Sequence, residues 1–200
     1  MVGMPASASI IATIYLDVPD PGNSADPANE GSGLASAQFA PTAINFQTDN
    51  SDGTTIGDWL GNPTFSNEMN GFDPSHLTDN SELVITGQTY LNAGSNSFVV
   101  AHDDGVVLTF ADPSIGTVVD QPGPTAEVFT PFDVTAATAG FYDFTLYYTE
   151  CCGGPADLVW QINGGPVGNN VPEPLTLSLF GAGLAGLGAM RRRNKAAKVA

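Results

Sequence analysis

Hydrophobic and polar positions alternate with a period of two over much of the chain, and this pattern predicts β-strands. The clearest case is Phe141–Thr149, because Tyr142, Phe144, Leu146 and Tyr148 fall on one face of the strand. Segments rich in Gly, Pro, Asn and Asp separate such stretches and predict turns. The predicted strands, in chain order, are Ile10–Leu16, Gln38–Phe46 with a break or edge at Pro41, Leu83–Leu91, Ser97–Asp103, Val106–Ala111, Phe141–Thr149 and Ala156–Ile162.

Helical signals are scarce upstream of the last thirty residues. The stretch from Thr55 to Leu60 predicts one helical turn, capped by Thr55, that packs Ile56, Trp59 and Leu60 on the core. Short strands, frequent turns and the lack of a long helix predict an all-β fold, an antiparallel β-sandwich of jelly-roll-like form.

The C-terminal residues break this pattern. Leu175–Met190 is a run of apolar or small residues without a charge, and as a helix it spans about 24 Å at about 1.5 Å per residue. A bilayer core is about 30 Å thick, and Gly is tolerated in membrane helices. Arg191, Arg192 and Arg193 follow directly, as a cytoplasmic membrane stop does. We therefore expect a single C-terminal transmembrane helix, with a buried soluble helix as the alternative.

This tail resembles a known sorting signal. Pro172, Glu173 and Pro174, the apolar helix and the arginine cluster are similar to the PEP-CTERM signal of Gram-negative bacteria. The resemblance implies that an exosortase, a membrane-embedded relative of cysteine protease-transpeptidases, recognises the Pro-Glu-Pro motif and processes the tail. It also implies export across the inner membrane, where the protein stays until processing, and then a place at the cell surface or in the extracellular matrix.

Charge is divided between two parts of the chain. All five basic residues lie after position 190, whereas the 21 acidic residues lie before it and give a formal net charge of −16. Cleavage at the motif would remove one acid, Glu173, together with every Lys and Arg. Such a domain is repelled by nucleic acid, which excludes that class of partner. Its self-repulsion must be offset by screening or by bound cations, which favours extracellular surroundings rich in divalent ions.

The chain start resembles the end of a signal peptide. Residues 1–8 finish in an Ala-x-Ala pattern, which makes Ser9 the first mature residue, but a basic segment is missing and the apolar segment is nearly absent. We expect the true start codon to lie upstream, and an ordinary flexible N-terminus is the alternative. The predicted organisation is therefore a signal-peptide remnant at 1–8, a β-sandwich at 9–163, a linker at 164–171 and the sorting signal at 172–195, with its membrane helix at 175–190.

Two loops carry the candidate chemistry. Asp103, Asp104 and Gly105 lie between two predicted strands, where Asp-Gly is typical of a hairpin turn with positive φ at Gly105. Glu150 opens the second loop, which is rich in Gly. Calcium prefers six to eight oxygens from carboxylates and backbone carbonyls. The three carboxylates, with carbonyls of the second loop, would supply most of these if the two loops lie side by side.

Residues 102–110 and 139–160 resemble the β-sandwich shared by anthrax protective antigen and yeast flocculin-type adhesins, and the likeness extends over Leu83–Asn163. It implies that Asp103 and Asp104 are the paired calcium ligands, often joined by a cis peptide. It also implies that the backbone oxygens of Cys152 and Gly154 are ligands and that calcium contacts sugar hydroxyls. Glu150 stands where the adhesins commonly carry Asn. A third carboxylate can saturate the ion, which bears on direct sugar contact.

Cys151 and Cys152 are the two cysteines of the sequence. Adjacent Cα atoms lie about 3.8 Å apart, below the usual disulfide range of about 4.4–6.8 Å, although the expected compartment is oxidising. A vicinal disulfide, two free thiols and pairing between molecules all stay open.

Signals of catalysis are weak. The sequence contains no nucleophile elbow, phosphate loop or His-Glu-x-x-His run, so we expect a protein without enzymatic activity. The predicted function is calcium-dependent binding or adhesion to glycan or extracellular polysaccharide. The alternative is an inert structural component of the extracellular matrix or biofilm, in which the aspartates form only a turn.

Overall fold

The computed structural model describes residues 9–19, 25, 34–48, 53–151, 153 and 155–169. The chain divides into two compact units at Asn169/Asn170, and all of these residues belong to the first. The predictions for the signal-peptide remnant, for the Cys152 and Gly154 carbonyls and for the sorting tail lie outside the described residues. Within them, no helix is long and apolar enough to cross a membrane.

Strands dominate this unit. Its elements are β1 (Ile11–Leu16), β2 (Ser36–Phe39), β3 (Asn45–Phe46), α1 (Ile56–Trp59), β4 (Ser66–Met69), β5 (Ser81–Leu91), β6 (Gly94–Asp103), β7 (Gly105–Phe110), β8 (Thr117–Gln121), β9 (Val128–Ala136), β10 (Gly140–Glu150), β11 (Asp157–Ile162) and β12 (Gly165–Pro166).

The strands form two antiparallel sheets. One has the order β4-β2-β1-β5-β10-β7-β8, and the other has the order β12-β11-β6-β9 with β3 also paired to β11. The core between them centres on Trp160, whose ring centroid lies 4.7 Å from that of Phe144 and 6.1 Å from that of Phe98. The predicted antiparallel β-sandwich is therefore confirmed.

Proline explains two differences from the predicted strands. The stretch predicted at Gln38–Phe46 is two short strands on different sheets, β2 and β3, with Pro41 between them. The strand β9 was not predicted, and it contains Pro131 in its middle. Because β9 is at the edge of its sheet, the missing N–H of a proline does not break the hydrogen bonding between strands.

The predicted helical turn is confirmed and packs toward the end of β10. The Thr55 hydroxyl accepts a hydrogen bond from the backbone N–H of Asp58 at 3.2 Å, as an N-cap does. Ile56, Trp59 and Leu60 are buried. The centroid of the Trp59 ring lies 5.3 Å from that of the Tyr148 ring.

The residues predicted as a linker at 164–171 are, as far as 169, part of the folded unit. Gly165–Pro166 forms β12 and Val167 is buried. The Asn169 side chain accepts from the backbone N–H of Ile10 and donates to its carbonyl oxygen, both at 2.7 Å. The apolar Val167 and the amide of Asn169 thus fasten this segment to the first strand region, so the linker prediction is wrong for residues 164–169.

Candidate metal centre

The chain crosses from one sheet to the other at Asp104. The strand β6 ends at Asp103 in the five-stranded sheet, and β7 begins at Gly105 in the seven-stranded sheet. The hairpin prediction is therefore wrong, because these two strands do not pair. The Asp103–Asp104 peptide bond is cis. Gly105 is needed for space rather than for a positive φ, since a Cβ there would lie 2.1 Å from the carbonyl oxygen of Pro122.

Strand pairing brings the three predicted carboxylates together. Thr149 of β10 pairs with Gly105 of β7, so the next residue, Glu150, reaches the point where the chain crosses between sheets. A carboxylate oxygen from each of Asp103, Asp104 and Glu150 lies within 4.8 Å of the others. All three residues are buried. The structure thus places the two candidate loops side by side.

Asp104 is held by backbone groups from two loops. Its Oδ1 accepts from the Thr125 N–H at 3.0 Å, and its Oδ2 accepts from the Cys151 N–H at 2.9 Å. Burial raises the pKa of Asp104, and the two N–H donors oppose this rise. His102, which is buried, contacts the Asp104 carbonyl oxygen through Nδ1, and its Nε2 lies 2.7 Å from Gln121 Oε1. The orientation of Asp104 is therefore fixed before any ligand arrives.

Glu150 is fully buried and incompletely hydrogen-bonded. Its Oε2 lies 2.6 Å from the hydroxyl of Tyr148, which also contacts the Asp103 carbonyl oxygen. A phenol has one hydrogen, so the Tyr148 hydroxyl donates either to Glu150 Oε2 or to the Asp103 carbonyl oxygen, and not to both at once. The other oxygen, Oε1, is buried and finds no hydrogen-bond partner within the described part of the chain. A buried acceptor without a partner is costly, and a cation would satisfy it.

The raised pKa values of these carboxyl groups show that their ionised forms are disfavoured when no ion is bound. Burial raises the pKa of Glu150 to about 9, and the nearby carboxylates of Asp104 and Asp103 raise it further against the opposing hydrogen bond of Tyr148. Burial also raises the pKa of Asp103 to about 6, with contributions from Asp104 and Asp157. In the ion-free protein at neutral pH, Glu150 therefore holds a proton.

Further acids surround Asp103 and were not predicted from the sequence. Asp157, the first residue of β11, pairs directly with Asp103, and its Oδ1 accepts from the Thr48 N–H at 2.9 Å. The backbone N–H of Glu127 donates to the Asp103 side chain. Only the strand register reveals that Asp157 is a neighbour, so the sequence alone carried no sufficient signal. Tyr148 was predicted only to share a strand face with Tyr142, Phe144 and Leu146, and its hydroxyl lies in the candidate site.

These residues fit a hard divalent cation. They offer several carboxylate oxygens, which calcium prefers, and a bound cation would replace mutual repulsion by attraction. The sequence has no Lys or Arg before Arg191 that could neutralise the cluster instead. An open cleft of about 320 Å³ borders the site, lined by Gln121, Pro122, Gly123, Pro124, Thr125 and Val128.

Cys151 lies next to Glu150, is buried and is disulfide-bonded. Cys152, the other cysteine of the sequence, lies outside the described residues, so a vicinal disulfide stays a prediction. If it forms, the non-reduced protein should be a monomer about two hydrogen atoms lighter in intact mass than the reduced protein. Rapid alkylation of both cysteines without reductant would contradict this, and a disulfide-linked dimer would indicate pairing between molecules.

Comparison with known proteins supports the fold and the tail separately. Residues 170–193 match the PEP-CTERM protein-sorting motif. The structure is similar to the PA14 domain of the antifreeze protein MpAFP, with 21% identity, a TM-score of 0.57, and 81% of this chain and 85% of that one covered. It is also similar to the PA14 sugar-binding domain from an RTX adhesin, with 17% identity, a TM-score of 0.54, and 81% and 94% covered.

A third solved structure, an anti-sigma factor domain-containing protein, is 15% identical with a TM-score of 0.51, over 83% of this chain and 50% of that one. No curated protein matches this chain in sequence. The chain thus combines a C-terminal PEP-CTERM sorting motif with a β-sandwich of the PA14 fold.

Proposed function

We propose that this chain is an exported, non-enzymatic protein whose β-sandwich binds carbohydrate with the help of calcium. The observation that carries the proposal is the meeting of Asp103, Asp104 and Glu150, three buried carboxylates within 4.8 Å of one another. Such a cluster is unfavourable alone, and the unpartnered Oε1 of Glu150 adds to its cost. A bound cation is the simplest group that would offset both the repulsion among the carboxylates and the missing partner of Glu150 Oε1.

The carboxylates of Asp103, Asp104 and Glu150 would hold the ion, and the carbonyls of Cys152 and Gly154 are proposed as further ligands. Calcium accepts six to eight oxygens, so these residues can leave positions for sugar hydroxyls. The backbone N–H groups of Thr125 and Cys151 keep Asp104 oriented toward the cluster. Since the RTX-adhesin domain of the same fold is a sugar-binding domain, we assign the same class of ligand here.

The structural alternative, a matrix component without a ligand, gave the aspartates no role beyond a hairpin turn. That turn does not exist, because β6 and β7 belong to different sheets. We therefore favour the binding function. The natural ligands would be glycans of neighbouring cells or extracellular polysaccharide around the bacterium.

Binding to immobilised oligosaccharides in 5 mM calcium chloride and in EDTA tests the proposal directly. We expect retention on at least one sugar in calcium and its loss in EDTA, with recovery when calcium is restored. Retention that EDTA does not change would remove calcium from the mechanism. No retention on any sugar would leave the structural alternative.

The sorting motif supports the proposed route of the protein. We infer that the tail holds the chain in the inner membrane until an exosortase-type enzyme processes it, after which the β-sandwich reaches the cell surface or extracellular matrix.

Replacement of Pro172, Glu173 and Pro174 by alanine should leave the protein in the inner membrane with its tail uncleaved, because the recognition sequence is lost. Cell fractionation and the intact mass of the released form measure this. Release of a form with unchanged mass and in unchanged amount would refute the assignment of the tail.

A further inference from the structure

The cleft beside the candidate metal centre is formed by the connection between β8 and β9, which runs from Gln121 to Val128 and crosses from one sheet to the other. Gln121 ends β8 and pairs with Val106 of β7. Val128 begins β9 and pairs with His102 of β6. Both partners lie two residues from Asp104 in the chain. The two ends of the connection therefore lie beside the candidate metal centre.

This connection is hydrogen-bonded to two carboxylates of the centre. The Thr125 N–H donates to Asp104 Oδ1 at 3.0 Å, and the Glu127 N–H donates to the Asp103 side chain. The same carboxylates would hold the ion. Groups that are hydrogen-bonded to metal ligands are held in place together with those ligands. An ion that fixes the two aspartates would thus also fix the shape of the cleft.

Gln121 supplies a carboxamide to the cleft, and a buried histidine holds one end of it. The side-chain Oε1 lies 2.7 Å from Nε2 of His102, whose Nδ1 contacts the Asp104 carbonyl oxygen. His102 is fully buried, whereas Gln121 is exposed. The contact sets the orientation of the amide and leaves its other end, the Nε2 amine, for a ligand. Because a hydroxyl group both donates and accepts, a sugar hydroxyl complements this end of the amide.

The remaining wall of the cleft is uncharged and largely apolar. Within the described part of the chain it is lined, besides Gln121, by Pro122, Gly123, Pro124, Thr125 and Val128. Its volume of about 320 Å³ is near the lower end of the range for small-ligand sites, about 300–1,000 Å³. The cleft therefore suits one or two residues at the end of an oligosaccharide rather than a long chain segment.

We infer that Gln121 is a sugar-contacting residue, whose amide binds a hydroxyl of an uncharged terminal sugar while the C–H groups of that sugar lie on the apolar wall of the cleft. This inference rests on the proposed function. A sugar carries hydroxyl groups at its edge and C–H groups on its faces. One polar group on an apolar wall is the arrangement that orients such a ligand.

The charge of the neighbouring centre favours an uncharged sugar over an acidic one. The three carboxylates of the centre exceed the charge of one divalent ion, and Asp157 and Glu127 add to the negative field around Asp103. The sequence contributes no Lys or Arg before Arg191 to balance them. A uronate would be repelled, whereas a neutral hexose carries no such cost.

The experiment measures binding to immobilised galactose- and glucose-terminated oligosaccharides in calcium chloride, with the galacturonate- and glucuronate-terminated forms as charged probes. Gln121→Met keeps the length of the side chain and removes the amide. Gln88→Met is the matched control, because it makes the same change on β5, where the Gln88 amide donates to Asp143 at 2.9 Å. Gln88 lies seven residues along β5 from the partner of Glu150, which is a distance of about 23 Å.

We expect Gln121→Met to bind the neutral sugars about three- to tenfold more weakly than the wild type, because it loses one hydrogen bond of ordinary net strength. Its Tm in EDTA should fall, since the buried His102 loses a partner, but its calcium-induced rise in Tm should equal that of the wild type. Gln88→Met should bind sugar as the wild type does. The uronate forms should bind more weakly than their neutral counterparts, and more so at low salt.

Equal sugar binding by Gln121→Met and the wild type would overturn the inference and leave the proposed function standing. A loss of sugar binding together with a smaller calcium-induced rise in Tm would show that Gln121 supports the ion rather than the sugar. An equal loss in Gln88→Met would show an effect unrelated to the cleft, and stronger binding of the uronates would exclude an uncharged ligand. Each of these results overturns the inference. Failure of the wild type to bind any sugar would overturn the proposed function, and this inference with it.

Discussion

Asp104→Ala should abolish the stabilisation of the folded domain by calcium. For an affinity of about 10⁻⁴–10⁻³ M, typical of extracellular modules, 10 mM calcium would stabilise the wild type by about 1.4–2.7 kcal/mol. In a domain of this size that is a Tm rise of about 3–10 °C. The variant loses one of three charged ligands and leaves the N–H groups of Thr125 and Cys151 without their acceptor. Thermal unfolding with and without calcium measures the difference.

Asp73→Ala is the matched control, because Asp73 is an exposed carboxylate whose hydrogen bonds are local, from the Ser75 N–H at 2.8 Å and from the Ser75 side chain. It should keep the full calcium response. Magnesium, which demands a stricter octahedral shell, should raise the Tm of the wild type much less than calcium does. A similar response to both ions, or in both variants, would show diffuse binding to an acidic surface instead of a site.

Without calcium, the domain should lose stability as the pH rises from about 4.5 to about 9, and the loss should level off above that pH. The folded-state pKa of Glu150 is about 9, raised from 4.5, so the folded protein keeps a proton that the unfolded chain has released. Below its unfolded-state pKa, such a group does not change the free energy of unfolding. Between the unfolded-state and folded-state pKa values, it lowers the free energy of unfolding more and more as the pH rises. Asp103, with a pKa of about 6, adds to the loss at lower pH.

Calcium should reverse this trend, because ionised carboxylates bind it best and proton release accompanies binding. The calcium-induced rise in Tm should therefore grow from pH 6 to pH 9. Glu150→Gln removes the buried acid and should flatten the pH dependence in EDTA, so that at pH 9 the variant is more stable than the wild type. The same variant should respond less to calcium. An unchanged pH dependence in Glu150→Gln would show that another group causes the loss.

The sequence was sufficient for the fold class because period-two patterning in long strands such as Phe141–Thr149 is a strong signal. The period-two pattern is a weaker signal in edge strands. All residues of β4 are exposed, and apart from Met69 they are polar, so the strand shows no alternation of apolar and polar positions. β9 carries a proline that only an edge position permits. Residues 164–169 show no periodic pattern of apolar positions. Their position in the fold depends on the burial of Val167 and on the hydrogen bonds of the Asn169 side chain.

The site shows the same division between local and long-range information. Asp103, Asp104 and Glu150 could be chosen from their loops, since acidic residues beside Gly are local features. The contribution of Asp157 depends on its register opposite Asp103. The hairpin expected at Asp104–Gly105 failed for a related reason. An Asp-Gly pair predicts a sharp change of direction, and here the change carries the chain between two sheets rather than back along one.

A crystal structure grown with calcium and without competing chelators would decide whether Asp103, Asp104 and Glu150 hold an ion. We expect one ion with carboxylate oxygens of all three residues at about 2.3–2.6 Å, the usual range for calcium. Anomalous scattering at long wavelength would identify the element. A well-ordered cluster without an ion at saturating calcium, or an ion bound only elsewhere on the acidic surface, would contradict it.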